Sequence, residues 1–169
     1  IAQTFRLILP TPVKILLLGI GNTLLTDEGV GLHVLQALEA GAPLPSEVEM
    51  LDGGTLSFTL AGPIQDADAL IVVDAARIGQ PAGAWQLLQG DQMDAFLLGN
   101  RKSSVHEVGL TDLRAIAILS DHWPQRRAML AIEPKNIDWG EQLSPEVAAA
   151  VPAVAEAIRE LVQEWLHET

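Results

Sequence analysis

The stretch Lys14–Gly31, KILLLGIGNTLLTDEGVG, constrains this chain more than any other. Ile15 to Leu18 form an uninterrupted apolar run, Gly19-Ile20-Gly21-Asn22 breaks it, and Asp27-Glu28-Gly29-Val30-Gly31 leads into residues with helical spacing. Such a pattern reads as a strand buried on both faces, a tight turn and a helix start. In open α/β sheets ligands sit in the crevice beyond the carboxyl ends of the strands, and Asp27 and Glu28 fall there. Glu28, in the first turn of the expected helix, meets the positive end of the helix dipole, which favours its ionised form by about 0.3–1 kcal/mol. An ionised carboxylate is what a metal ion requires. Gly19 and Gly21 permit positive φ and close approach of a ligand or a second chain. Two other readings of this stretch stay open: a sharp turn followed by ordinary first-turn acids, and a dinucleotide-binding loop that begins Gly-x-Gly. Against the second, Leu24 stands where the third glycine belongs, and the helix starts too late for its N-terminus to reach a phosphate.

The spacing beyond this point predicts a helix over Glu28 to Ala40, with Val30, Val34, Leu35 and Leu38 on one face, His33 partly exposed and Gly41 as the stop. Val48 to Leu51 reads as a short strand closed by Asp52-Gly53-Gly54-Thr55, with a helix over Leu56 to Ile64 after it. Asp52 either caps this turn or faces the crevice, and Gly53 and Gly54 can leave backbone groups open to an extended peptide. Ala69 to Val73 is fully apolar and ends in Asp74, an acid that is costly at the tip of a central strand without a partner. A metal ion, Arg77 or a helix N-terminus would each serve. Ala84 to Leu88 reads as an edge strand, antiparallel because the connection before it is too short for a crossover helix. Residues 91–104 look irregular and deliver His106. His106-Glu107 begins H-E-x-x-H, but Leu110 stands at the second histidine and that motif fails. His106 precedes a helix over Leu110 to Leu119, where it is either a solvated or capping residue or a ligand. Ala128 to Ile132 is the last strand. Ser144-Pro145-Glu146 opens a C-terminal helix with a cap, a first-position proline and an early acid, and Pro152 predicts a kink or restart. His122 and His167 have no neighbours that suggest a site.

Alternating strands and helices define the fold class: α/β, a three-layer α/β/α sandwich on a mostly parallel sheet of about five strands, one edge strand antiparallel. Residues 1–13, with Pro10 and Pro12, read as an N-terminal extension, and 14–169 as a single domain; the leading Ile indicates that the native start lies elsewhere. A formal charge of −12 with only 10 basic residues argues against a nucleic-acid partner, and none is expected. With no cysteine, disulfides and thiolate sites are excluded, so any metal must be held by His, Asp or Glu. The first residues are too short for a membrane span and lack a signal-peptide layout, so no membrane insertion and a cytoplasmic location are expected. Right-handed crossovers bring carboxyl ends to one sheet edge, where Glu28, Asp52, Asp74 and His106 could converge; carboxylates, an imidazole and water suit a borderline divalent ion. No G-x-S-x-G offers a serine nucleophile.

Taken together, Gly19-Ile20-Gly21-Asn22, Asp27-Glu28-Gly29-Val30-Gly31, Asp52-Gly53-Gly54-Thr55, the strand ending in Asp74-Ala75, and Ser104-Val105-His106-Glu107-Val108-Gly109 resemble the nickel–iron hydrogenase maturation proteases, in order and spacing, from Lys14 to the C-terminal helix. The resemblance implies an endopeptidase that removes a short C-terminal extension from the hydrogenase large-subunit precursor once nickel has been inserted. It implies Glu28, Asp74 and His106 as metal-binding and catalytic residues. Nickel would be supplied by the substrate, and another divalent ion could occupy the site in isolation. Asp52 joins them as a candidate general base, and Gly19, Gly21, Asn22, Gly53 and Gly54 as candidate substrate-binding positions. Glu107 departs from members that carry an amide after the histidine. Two alternatives stay open: a non-catalytic nickel-sensing maturation protein with the same ligands, and a nucleotide-binding module using Gly19 and Gly21 with Asp52 on a ribose. Whether the mechanism is metal-dependent or aspartic-type is left open by the residues, and Trp85, Trp123 and Trp139 are candidate markers of a docking surface.

Overall fold

The computed structural model describes residues 13–55, 58–99 and 110–168. The chain order is β1 (Ile15–Ile20), a 3₁₀ turn (Thr26–Gly29), α1 (Val30–Ala40), β2 (Val48–Gly54), a 3₁₀ turn (Phe58–Leu60), α2 (Ala61–Gln65), β3 (Ala69–Ala75), β4 (Trp85–Gln89), α3 (Asp91–Gly99), α4 (Leu110–Leu119), β5 (Arg126–Ile132) and α5 (Pro145–His167). The sheet order is β2-β1-β3-β5-β4. β1, β2, β3 and β5 are parallel, and β4 pairs antiparallel with β5 at the edge, as its short connection requires. The chain leaves β1 toward β2 on one side and returns to β3 on the other, which makes the β1/β3 junction a topological switch point.

Strand alternation sorts the core into two layers. Ile15, Leu17, Ile71, Val73 and Leu130 point to the face covered by α1 and α5. Leu16, Leu18, Leu70, Val72 and Ala131 point to the face covered by α2, α3 and α4. Every residue of β1 and β3 is buried, which accounts for their unbroken apolar runs.

Several expectations are corrected. Residues 91–99 form α3 rather than irregular chain: Met93 and Leu97 bury one face, and Asp94 is held by Arg114 and Arg127 from neighbouring elements. Tertiary contacts, not local propensity, stabilise this helix. β2 continues to Gly54, three residues beyond the expected Leu51. The helix expected from Leu56 is a 3₁₀ turn followed by the short α2, and residues 56–57 lie outside the described residues. Of the kink or restart expected at Pro152, α5 shows no restart: it runs continuously through Pro152, with the apolar stripe of Val147, Val154, Ile158, Leu161 and Trp165 buried. Ser144 stands at its N-cap, but its hydroxyl donates to Asp27 rather than accepting from its own helix. Residues 100–109, and with them His106, lie outside the described residues.

Candidate functional site at the carboxyl edge of the sheet

Glu28 lies in the 3₁₀ turn ahead of α1, not in the α-helix itself, and is half-buried. The turn comes within 8 Å of β3, Cα to Cα. Gly31 explains how it gets there: a Cβ on this residue would sit 2.4 Å from Ile20 O and 2.5 Å from Val73 O, so the start of α1 rests directly on the carbonyl ends of β1 and β3. Glycine alone allows that approach. Asp74, 8% exposed, follows Val73 at the same junction. Glu28 and Asp74 are thus both set at the switch point by backbone packing.

Asp52 occupies a different side of the edge. It is in register with Gly19, as is Val73, so it shares their orientation toward the α1 face. Asp74 is in register with Ala131 and points to the α2–α4 face. Asp52 is exposed and its Oδ1 accepts from Gly54 N at 2.8 Å, the capping role that its sequence context allowed. It also lines an open cleft of about 280 Å³ with Gly21, Asn22, Thr23, Leu32, Gly54 and Thr55. α4, which begins four residues after His106, lies on the face toward which Asp74 points. Among the described residues, no three His, Asp or Glu side chains form a metal-binding cluster.

The glycines divide by role. The side of Gly19 that would carry a Cβ faces Leu35 Cδ1 at 2.7 Å and Gly31 O at 2.9 Å, so its bareness serves helix packing. Gly21, at φ +138°, abuts the Glu28 carbonyl, where a Cβ would come within 1.7 Å of the oxygen. Its amide donates to Gly54 O at 2.9 Å and ties the two loops together. Gly53 packs on Leu18 and Gly19 O, whereas Gly54, at φ +48°, faces the cleft. Asn22 Oδ1 accepts from Leu24 N at 2.9 Å and shapes the rim.

The sequence places Asp27 beside Glu28 at the crevice, but the structure turns its side chain inward. It is fully buried and accepts hydrogen bonds from Lys135 N (2.8 Å), Asn136 N (2.9 Å), Ser144 N (2.7 Å) and Ser144 Oγ (2.9 Å). Burial alone would raise its pKa, but the donors from Asn136, Ser144 and Lys135 hold it below the usual carboxylate range. The partners lie 108–117 residues away, so no local pattern signals them. Arg77, considered as a partner for Asp74, donates to Glu133 Oε1 at 3.1 Å. Glu133 also accepts from Ile78 N at 2.6 Å and Gly79 N at 3.0 Å. Of the three tryptophans considered as docking markers, Trp85 packs on the core, Trp123 donates to Asp94 Oδ1 at 3.3 Å, and Trp139 is 84% exposed on the connection that Asp27 holds.

A doubly wound sheet with two carboxylates at its switch point and a cleft along the same edge defines an α/β protein with a site for chemistry at the carboxyl ends of β1 and β3. A model of the family "hydrogenase maturation protease" matches residues 32–161. The hydrogenase expression/formation protein HupD of Rhodobacter capsulatus is 38% identical over 152 residues, covering 89% of this chain and 72% of that protein. The hydrogenase 2 maturation protease of Escherichia coli (strain K12) is 33% identical over 153 residues, 90% of this chain and 92% of that one. The solved structure of the Escherichia coli hydrogenase maturating endopeptidase HybD superposes with a TM-score of 0.82 at 31% identity, covering 90% and 93% of the two chains. The chain belongs to the hydrogenase maturation protease family and is a peptidase. No helix among the described residues is long and apolar enough to cross a membrane.

Proposed function

We propose that this peptidase removes the C-terminal extension of a nickel–iron hydrogenase large-subunit precursor after nickel insertion, with Glu28, Asp74 and His106 reading the nickel that the precursor carries. One observation carries the assignment: the seating of Gly31 on the strand-end carbonyls brings the turn that carries Glu28 to the end of β3, where the buried Asp74 lies. The donor set suits a borderline divalent ion, two carboxylate oxygens with one imidazole nitrogen completing it from His106, and no thiolate to trap the metal. When bound, the ion supplies Lewis acidity. The chain's own residues do the rest. The extended tail would enter the cleft lined by Gly54 and Asn22, and the oxygen of Asp52 that Gly54 does not engage would accept a proton from an attacking water, a role supported by its exposure and its position in the cleft lining. Because Asp52 and Asp74 point to opposite faces, Asp52 acts on the tail from the α1 side while Asp74 acts from the α4 side. Under an aspartic-type mechanism the two acids would share a proton, which this separation disfavours.

The test is cleavage of a nickel-loaded precursor, with mass spectrometry of the released tail, by wild type and by Glu28→Gln, Asp74→Asn, His106→Ala and Asp52→Asn. Wild type is expected to cut only loaded precursor. The three ligand variants should stay folded and lose cleavage, whereas Asp52→Asn should lower kcat while leaving nickel affinity intact. Normal cleavage by Asp74→Asn refutes the assignment, and binding of precursor without cleavage by wild type would make the chain a sensor.

A further inference from the structure

We propose that Asp27 is a positioning residue of this site: its buried carboxylate latches the connection between β5 and α5 onto the 3₁₀ turn and thereby sets the direction in which Glu28 is presented. The inference rests on the reading of Glu28 as a ligand.

Two rows of bonds join the loops. In the first, Gly140 N donates to Leu24 O (2.9 Å), Thr26 N donates to Gly140 O (2.7 Å), and Leu25 bridges Gly140. Thr26 Oγ1 donates to Asn136 O (2.8 Å) and accepts from Asp138 N (3.1 Å). In the second, the Asp27 carboxylate takes its four bonds from Lys135, Asn136 and Ser144. Lys135 gives Asp27 its backbone N–H and turns its Nζ to Glu146 Oε1 at 2.6 Å. All four groups facing Asp27 are donors, so an acceptor-only side chain fits and an amide would set its NH₂ against an N–H. Thr26 sits at φ 44°, a left-handed conformation unusual for a β-branched residue, and the bonds on either side hold it there.

Glu28 is next in this turn. Successive side chains of a 3₁₀ turn diverge by about 120°, so a fixed direction for Asp27 fixes that of Glu28. From the other flank Gly21 presses on the Glu28 carbonyl. The residue is thus bracketed by a staple to a segment more than 100 residues later on one side and by the nearby Gly21 on the other. A loop staple with no bearing on the site could have been made at any of these positions; this one is adjacent to the candidate ligand.

The test uses the full chain and compares wild type, Asp27→Asn, Ser144→Ala, Glu28→Gln and a remote control, Asp94→Asn. Nickel affinity is measured by titration calorimetry with Ni²⁺ alone, and kcat and KM with loaded precursor, at a temperature where circular dichroism is native. Asp27→Asn is expected to weaken Ni²⁺ binding by about tenfold or more, as loss of groups that orient a ligand does, and to lower kcat with KM little changed. Ser144→Ala, which removes one donor, should shift both in the same direction by about threefold. Asp94→Asn should lower the melting temperature and leave Ni²⁺ affinity unchanged. If Asp27→Asn does not fold, Ser144→Ala decides. Folded variants at Asp27 or Ser144 with wild-type affinity and kcat overturn the positioning role while Glu28→Gln still fails. Wild-type behaviour of Glu28→Gln overturns the ligand reading and the positioning role together.

Discussion

The approach of α1 to the sheet can be tested at a single hydrogen atom. In Gly31→Ala the added methyl would lie 2.4 Å from Ile20 O, 2.5 Å from Val73 O and 2.7 Å from Ile20 N, all backbone atoms of buried central strands that cannot rotate away. Real contacts stop near 3.0 Å, so the helix start must withdraw by at least the 0.6 Å difference between 3.0 and 2.4 Å. Val30, Val34, Leu35 and Leu38 travel with it and lose contact with the core. Overpacking of this kind costs about 1–3 kcal/mol, offset by about 0.5–1 kcal/mol from replacing a helical glycine. The net loss of about 1–2 kcal/mol corresponds to a fall in Tm of about 2–8 °C for a domain of this size. Gly62 provides the opposite case: it lies in α2 with nothing within 4 Å of a would-be Cβ, so Gly62→Ala should be neutral or stabilising by up to about 1 kcal/mol. Urea unfolding of both variants, with unchanged m-values, measures the pair. The Gly31 variant should also lose cleavage disproportionately, because withdrawal displaces Glu28. A Gly31→Ala protein as stable and active as Gly62→Ala would refute the seating of α1 on the strand ends.

Two further outcomes concern regions away from the site. Asp94 accepts from Arg114 Nη2 (3.1 Å), Arg127 Nε (3.0 Å) and Arg127 Nη2 (2.9 Å), so Asp94→Ala should cost about 2–4 kcal/mol in calorimetry. Burial opposes its ionisation, but Arg114 and Arg127 outweigh burial and hold its pKa below the usual carboxylate range. Its contribution is therefore full above the unfolded pKa and vanishes as pH falls through the folded one, and the stability gap to Asp94→Asn should close between about pH 5 and pH 2; a gap that widens on acidification would contradict the network. Pro152, exposed inside α5, lacks the N–H that would bond to the carbonyl of residue 148, so Pro152→Ala should stabilise by about 1–3 kcal/mol, and a lower urea midpoint would contradict this.

What was legible in the sequence follows the range of the forces involved. β1 and β3 were readable because strands buried on both faces must be apolar throughout, and the antiparallel edge because a short connection permits nothing else. α3 was missed because its stabilising partners, Arg114 and Arg127, come from 20 and 33 residues away. Glu28 was legible as a candidate ligand at the crevice, whereas nothing near Asp27 signals that it is a fully buried staple to a loop more than 100 residues later. Gly19 and Gly31 illustrate the same limit: the pattern marks a glycine as needed, and only the packed helix shows that Leu35 and the strand carbonyls need the space.

The arrangement separates rigidity from chemistry. β1 and β3 cannot move without exposing the centre of both core layers, and α1 is keyed to them at Gly31, so anything attached to the start of α1 inherits their fixed position. The 3₁₀ turn is attached there, and Asp27 adds a second anchor from the β5–α5 connection. An acid at the end of β3 needs no loop to hold it, since the strand does so. Asp74 is thus held by the end of β3 and Glu28 by a turn keyed to β1 and β3, rigid supports with which the proposed site would tell a loaded precursor from an empty one by geometry rather than by adapting to either.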